Sequence, residues 1–131
     1  MKLFGTVHAH CDVPCGVYET DTMRNAAFTC KVMVTKMKDL GDLHDPEHHQ
    51  SFVRMVNTKE LHAEMVKHQV RILWGDYFKP EHLEKYPDLH DKVWHILKQA
   101  STVKQTVDLG EAQKLIDQVL DLAAIFAETK K

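Results

Sequence analysis

"DTMRNAAFTCKVMVTKMKDLG", residues 21–41, decides the fold class. Its apolar residues Met23, Ala26, Ala27, Cys30, Met33, Val34, Met37 and Leu40 recur at steps of three and four, which lays one stripe along a helix. Alternating, β-branched runs of the kind that make strands are scarce here and elsewhere in the chain. Gly41 follows the last apolar residue and supplies the stop.

Working outward, the same period returns. Asp45-Pro46-Glu47 offers an N-cap, a proline at the first helical position and an early acid, predicting a second helix to about Trp74 and Gly75. Its stripe is Phe52, Val56, Ala63, Val66, Val70 and Leu73, with Lys59 as the misfit. "GDYFKPEHLEKYP" (75–87) breaks the pattern with Gly75, Pro80 and Pro87, leaving room for a short helical turn around Glu81 to Lys85. Leu89, Val93, Ile96, Ala100, Val103 and Val107 then form a heptad-like seam. "DLGE" (108–111) resembles a capping box ahead of a last helix packing through Ala112, Leu115, Val119, Leu122, Ala123 and Phe126. The expected fold is all-α: an antiparallel up-down four-helix bundle with an N-terminal metal-binding hook. No internal repeat or low-complexity linker interrupts it.

The totals agree with one compact domain. The chain has 131 residues, 44% of them hydrophobic, enough for a single core and short for two. Lys+Arg 17 against Asp+Glu 19 gives a formal charge of −2, so no global basic field points to nucleic acid. No stretch approaches the roughly 20 apolar residues of a membrane span, and "MKLFGTVHA" (1–9) lacks the apolar run of a secretory signal. Three cysteines cannot all pair within the chain, which favours a reducing, cytoplasmic setting.

Two of those cysteines stand in "HAHCDVPCGVY" (8–18), a segment outside every helical stripe. Cys11 and Cys15 form a C-x3-C pair, which by itself fits a redox couple, half a zinc site or an incidental pairing. Pro14 and Gly16 favour a tight turn that brings the sulfurs onto one centre, and His10 adjoins Cys11. A zinc knuckle would need a second such pair. A chain cut between Ala9 and His10 would offer an α-amine, the next amide nitrogen, two thiolates and an imidazole. Amine and amidate are strong in-plane donors and thiolates are soft, so nickel or copper suits the set better than zinc.

"HCDVPCGVY" (10–18) resembles the nickel-binding hook of the nickel-containing superoxide dismutases. "LWGDYFKPEHLEKYPDLH" (73–90) and "ETKK" (128–131) resemble later segments of the same family. The resemblance implies a propeptide over residues 1–9, removed by a processing protease, and a functional domain over 10–131 with the hook at 10–18. It further implies one nickel ion per subunit, a homohexamer, and conversion of superoxide to oxygen and hydrogen peroxide by Ni(II)/Ni(III) cycling. By the same resemblance His10 gives its α-amine and, in the oxidised state, its imidazole; Cys11 gives backbone nitrogen and sulfur; Cys15 gives sulfur. Tyr18 and Tyr77 match the family's tyrosines at the open face, and Lys79 matches a lysine suited to steering an anion. Two positions depart from the pattern: Ala26 stands where the family has an acid, and His62 where it has an arginine, a pair that supports the metal-bound imidazole.

Other residues read more plainly. His44, His48, His49, His62, His68, His82, His90 and His95 sit mostly on polar helix faces and are expected to be solvated or satisfied locally. Cys30 and the methionines at helical spacing read as core, and Lys130 and Lys131 as a solvated end. Two other functions compete with the enzyme: a metal-binding or sensing protein that keeps the hook without turnover, and a dithiol oxidoreductase on Cys11 and Cys15. The second lacks the βαβ context such a motif needs.

Overall fold

The computed structural model describes residues 16–131, and those residues form helices and connections with no strand. Five α-helices follow in order: α1 Asp21–Leu40, α2 Pro46–Ile72, α3 Pro80–Lys85, α4 Leu89–Gln105 and α5 Leu109–Thr129. Four of them close a ring in which α1 packs on α2 and α5, and α4 on the same two. Cross-helix bonds give the directions. Lys67 Nζ meets Ser101 Oγ and Trp74 Nε1 meets His90 Nδ1, so α2 and α4 run antiparallel. Lys92 meets Asp121 while Gln99 meets Glu111, so α4 and α5 do too. The architecture is the expected up-down four-helix bundle, with α3 as the short turn between its second and third long helices.

Local chemistry sets the helix ends. Thr20 makes no side-chain cap on α1, and the Glu19 carboxylate accepts the Thr22 N–H at 2.9 Å instead. Gly41 ends α1 at φ 67°, in the left-handed region that favours glycine. Asp45 accepts the His48 N–H at 2.8 Å ahead of Pro46, and Asp108 accepts the Glu111 N–H at 2.9 Å. The bond from the His48 N–H also pulls the Asp45 carboxyl below its ordinary range.

The expected ends of two helices need correction. The second helix does not stop at Trp74 or Gly75: from Leu73 to Tyr77 it widens into a π-helical turn, closed by Phe78 N–H donating to the Leu73 carbonyl at 2.9 Å. Gly75 does not adopt the left-handed conformation that ends a helix. The chain leaves the helix at Phe78, whose backbone is already extended, and Pro80 keeps Lys79 extended after it. Val107 is not on the α4 seam. The helix ends at Gln105, and Val107 is exposed.

Phe52 and Val56 are only partly buried, because α4 ends level with Lys59. The Lys59 ammonium donates to the carbonyls of Val103, at 2.7 Å, and of Lys104 and Thr106. The first turns of α2 therefore overhang the four-helix body, with the C-terminal half of α1 beside them. The sequence misfit is thus the residue that caps α4. Within the body, Met23, Cys30, Val66, Leu89, Ile96, Leu115 and Leu122 are sealed from water, each large side chain contributing roughly 1.5–3 kcal/mol by burial.

Candidate metal centre

His10, Cys11 and Cys15, like the segment 1–9, lie outside the described residues. Gly16, directly after Cys15, is the first of the described residues and leads into the bundle. Gly16 has φ 86°, a conformation that other residues rarely adopt. Val17 then stands exposed and Tyr18 packs against the core. The Tyr18 ring lies 5.3 Å from that of Tyr77. The two sequence-predicted tyrosines therefore meet at the end of the bundle from which the hook departs.

The π-helical turn presents Tyr77 to this end. Its ring contacts Phe126 at 4.8 Å and stacks on His82 at 5.7 Å with an interplanar angle of 12°. Its hydroxyl lies 2.7 Å from Thr129 Oγ1. Lys130 is exposed, as expected of a solvated end, and its ammonium also sits 5.0 Å from the Tyr77 ring centroid and 5.2 Å from that of Phe126, the geometry of a cation over an aromatic face. The sequence "ETKK" does not reveal these contacts of Thr129 and Lys130, because their partner lies fifty or so positions away in the chain. Lys79, exposed, precedes α3 and carries its charge near this same turn.

The donor set fits a soft metal ion. Two thiols, an imidazole and main-chain nitrogens fall within His10 to Cys15, and thiolate-rich sets favour such ions over hard ones. Among the described residues, no group of three or more His, Cys, Asp or Glu could hold a metal. Cys30 is not a competitor: it is fully buried, burial pushes its thiol up to about 11, and it donates to the Lys59 carbonyl.

Several histidines are satisfied locally, as expected. His48 pairs with Asp45, His95 bonds the Asp91 carbonyl, His90 accepts from Trp74 and His82 from the Lys79 N–H. His62 turns its Nδ1 to the Thr58 carbonyl of its own helix at 2.7 Å, and Ala26 is buried in the core. A cleft of about 730 Å³ lies at the opposite end of the bundle, between His44 and Asn57, away from the tyrosines.

Comparison with known proteins points the same way. The family model described as nickel-containing superoxide dismutase matches residues 5–130. The superoxide dismutase [Ni] of Streptomyces coelicolor is 44% identical over 126 residues, 96% of this chain and 92% of that protein. The superoxide dismutase [Ni] of Streptomyces seoulensis is 42% identical over 125 residues, covering 95% and 91%. Among solved structures, native nickel superoxide dismutase superposes with a TM-score of 0.81 at 43% identity, covering 93% of this chain and all of that one. An apo form of nickel superoxide dismutase gives 0.79 at 41% identity, covering 88% and 98%. A match of this breadth, on a bundle whose paired tyrosines adjoin a cysteine-bearing N-terminal segment, places the chain in the nickel-containing superoxide dismutase family.

Proposed function

We propose that this chain dismutates superoxide at a nickel ion held by His10, Cys11 and Cys15, after cleavage between Ala9 and His10. Two superoxide anions and two protons give one dioxygen and one hydrogen peroxide. The observation that carries the reading is the meeting of Tyr18 and Tyr77 at the point where the hook segment leaves the bundle. In this reading His10 contributes its α-amine and, in the oxidised state, its imidazole, Cys11 its backbone nitrogen and sulfur, and Cys15 its sulfur. The bound nickel supplies a one-electron Ni(II)/Ni(III) couple, with electron-rich thiolate and amidate donors favouring the higher state.

The protein's own groups do the rest. Tyr18 and Tyr77 narrow the approach to the hook, while the ammonium groups of Lys79 and Lys130 give that end local positive charge against a net charge of −2. A processing protease frees the His10 amine, one nickel binds per subunit, and the enzyme works in the cytoplasm.

A homohexamer completes the reading. Phe28 and Val32 on α1, Leu61 on α2 and Trp94 on α4 are large apolar side chains left exposed on the single chain, and they supply apolar area that subunit contacts would cover.

The test is nickel content and superoxide consumption of a chain beginning at His10 against the uncut chain. The shortened chain is expected to bind one nickel and turn over superoxide. Equal activity from demonstrably uncut chain overturns the amine-ligand role of His10. Nickel retained without superoxide consumption would assign the hook to metal binding or sensing instead.

A further inference from the structure

The hydroxyl of Thr129 stands between two oxygens. Its Oγ1 lies 2.7 Å from Tyr77 Oη and 2.6 Å from the carbonyl oxygen of Phe126. A threonine hydroxyl carries one proton, and a carbonyl oxygen only accepts. The Thr129 proton therefore goes to Phe126, and the proton between Thr129 and Tyr77 is the phenol's. The sequence Tyr77 O–H, Thr129 O–H, Phe126 C=O has a single direction.

Packing holds the phenol in that orientation. Phe126 bears on the Tyr77 ring from α5, the stacked His82 from α3 and Tyr18 from the hook side. The His82 ring is itself pinned, because its Nδ1 accepts the Lys79 N–H at 3.0 Å. Once its proton is given to Thr129, the phenol has only lone pairs left for anything that approaches its oxygen. Water can donate to those lone pairs. A small anion cannot be held by them.

We propose that Thr129 is a positioning residue for the superoxide site, fixing Tyr77 as a donor into the protein so that its oxygen offers an arriving anion no proton. Anions are then drawn by the lysine charges but not retained at the tyrosine. The proposal rests on the placement of Tyr77 at the mouth of the nickel site.

The test compares Thr129→Val, which keeps the shape and removes the hydroxyl, with Thr129→Ser, which keeps the hydroxyl. In the nickel-free chain, the infrared C–O stretch of Tyr77 is read with ring-labelled tyrosine, by difference against Tyr77→Phe. The band is expected to shift in Thr129→Val and to return in Thr129→Ser; an unshifted band in Thr129→Val overturns the hydrogen-bond assignment. In the nickel-loaded protein, azide should inhibit superoxide consumption about fivefold more strongly in Thr129→Val, the worth of one released hydrogen bond, and Thr129→Ser should restore the original inhibition. A shifted band with unchanged azide inhibition overturns the role toward anions. If Tyr77→Phe alters neither turnover nor azide inhibition while the band behaves as expected, Tyr77 is not at the mouth. The proposal then falls with that placement and not with the hydrogen bond.

Discussion

At the scale of single residues, two buried groups carry more than their positions in the sequence suggest. Lys59 is 2% exposed, and its ammonium supplies three donors to the C-terminal carbonyls of α4, which have no partner within their own helix. Desolvation lowers its pKa, yet a neutral amine could not donate three times. Lys59→Met should therefore destabilise the fold by about 2–3 kcal/mol through unsatisfied carbonyls, read as a fall in the urea midpoint at unchanged m-value. Cys30 is the second group. Its thiol ionises near 9 when unfolded and near 11 when folded, so its contribution is complete below pH 9 and is lost as pH rises from about 9 to about 11. That contribution is about 2–3 kcal/mol. Lys59 acts in the opposite sense over part of this range, so the measurement is the difference in alkaline slope between the native chain and Cys30→Ser. The same variant should keep its nickel. Cys11→Ser and Cys15→Ser should lose both metal and turnover with helicity unchanged, and loss of nickel in Cys30→Ser alone would move the ligand assignment.

At the scale of elements, the caps act locally and the π-helical turn reaches across the fold. Asp45 and Asp108 each accept one of the free N–H groups that open a helix. Asp45→Ala and Asp108→Ala should each cost about 1 kcal/mol in thermal or urea unfolding, with no effect on nickel binding because neither lies near the tyrosines. The π-helical turn is different. By taking in an extra residue it changes which side chains face inward after Leu73, and Tyr77 thereby reaches Phe126 and Thr129 on α5. Periodicity marked a helix ending near Gly75 but not this widening, since one turn of five residues leaves no repeat to detect. The Lys59 cap was hidden for a related reason: a lysine inside an apolar stripe looks like an error until the end of another helix is placed beside it.

At the scale of the whole molecule, the exposed apolar side chains on α1, α2 and α4 are the area that the proposed assembly would cover. Sedimentation of the nickel-loaded chain beginning at His10 should give a hexamer, and a monomer as the only species would contradict it. Trp94, more than half exposed, offers a direct probe: its fluorescence should shift to the blue on assembly if its face is covered. Ala26 and His62 bear on the same scale. The core encloses Ala26, and His62 spends its Nδ1 on its own helix.

The sequence by itself determined the helical class and the bundle, and it is the source of the proposed donor-bearing segment. Apolar spacing, caps and turn-formers act within a few residues, and the hook compresses its cysteines and histidine into one short stretch. Met23, Ala26, Cys30 and Val34 are buried along α1 as their spacing required, and the stripes of α4 and α5 follow the same rule short of Val107. Only the tertiary structure decided what depends on helices meeting end to end. It set Lys59 on the carbonyls of α4, left the first turns of α2 overhanging and ended α4 before Val107. It also drew Tyr18, Tyr77, Phe126, Thr129 and Lys130 from the termini and the middle of the chain into one aromatic cluster. Such contacts follow from helix length and register summed over the whole bundle, and no local window of sequence contains that sum.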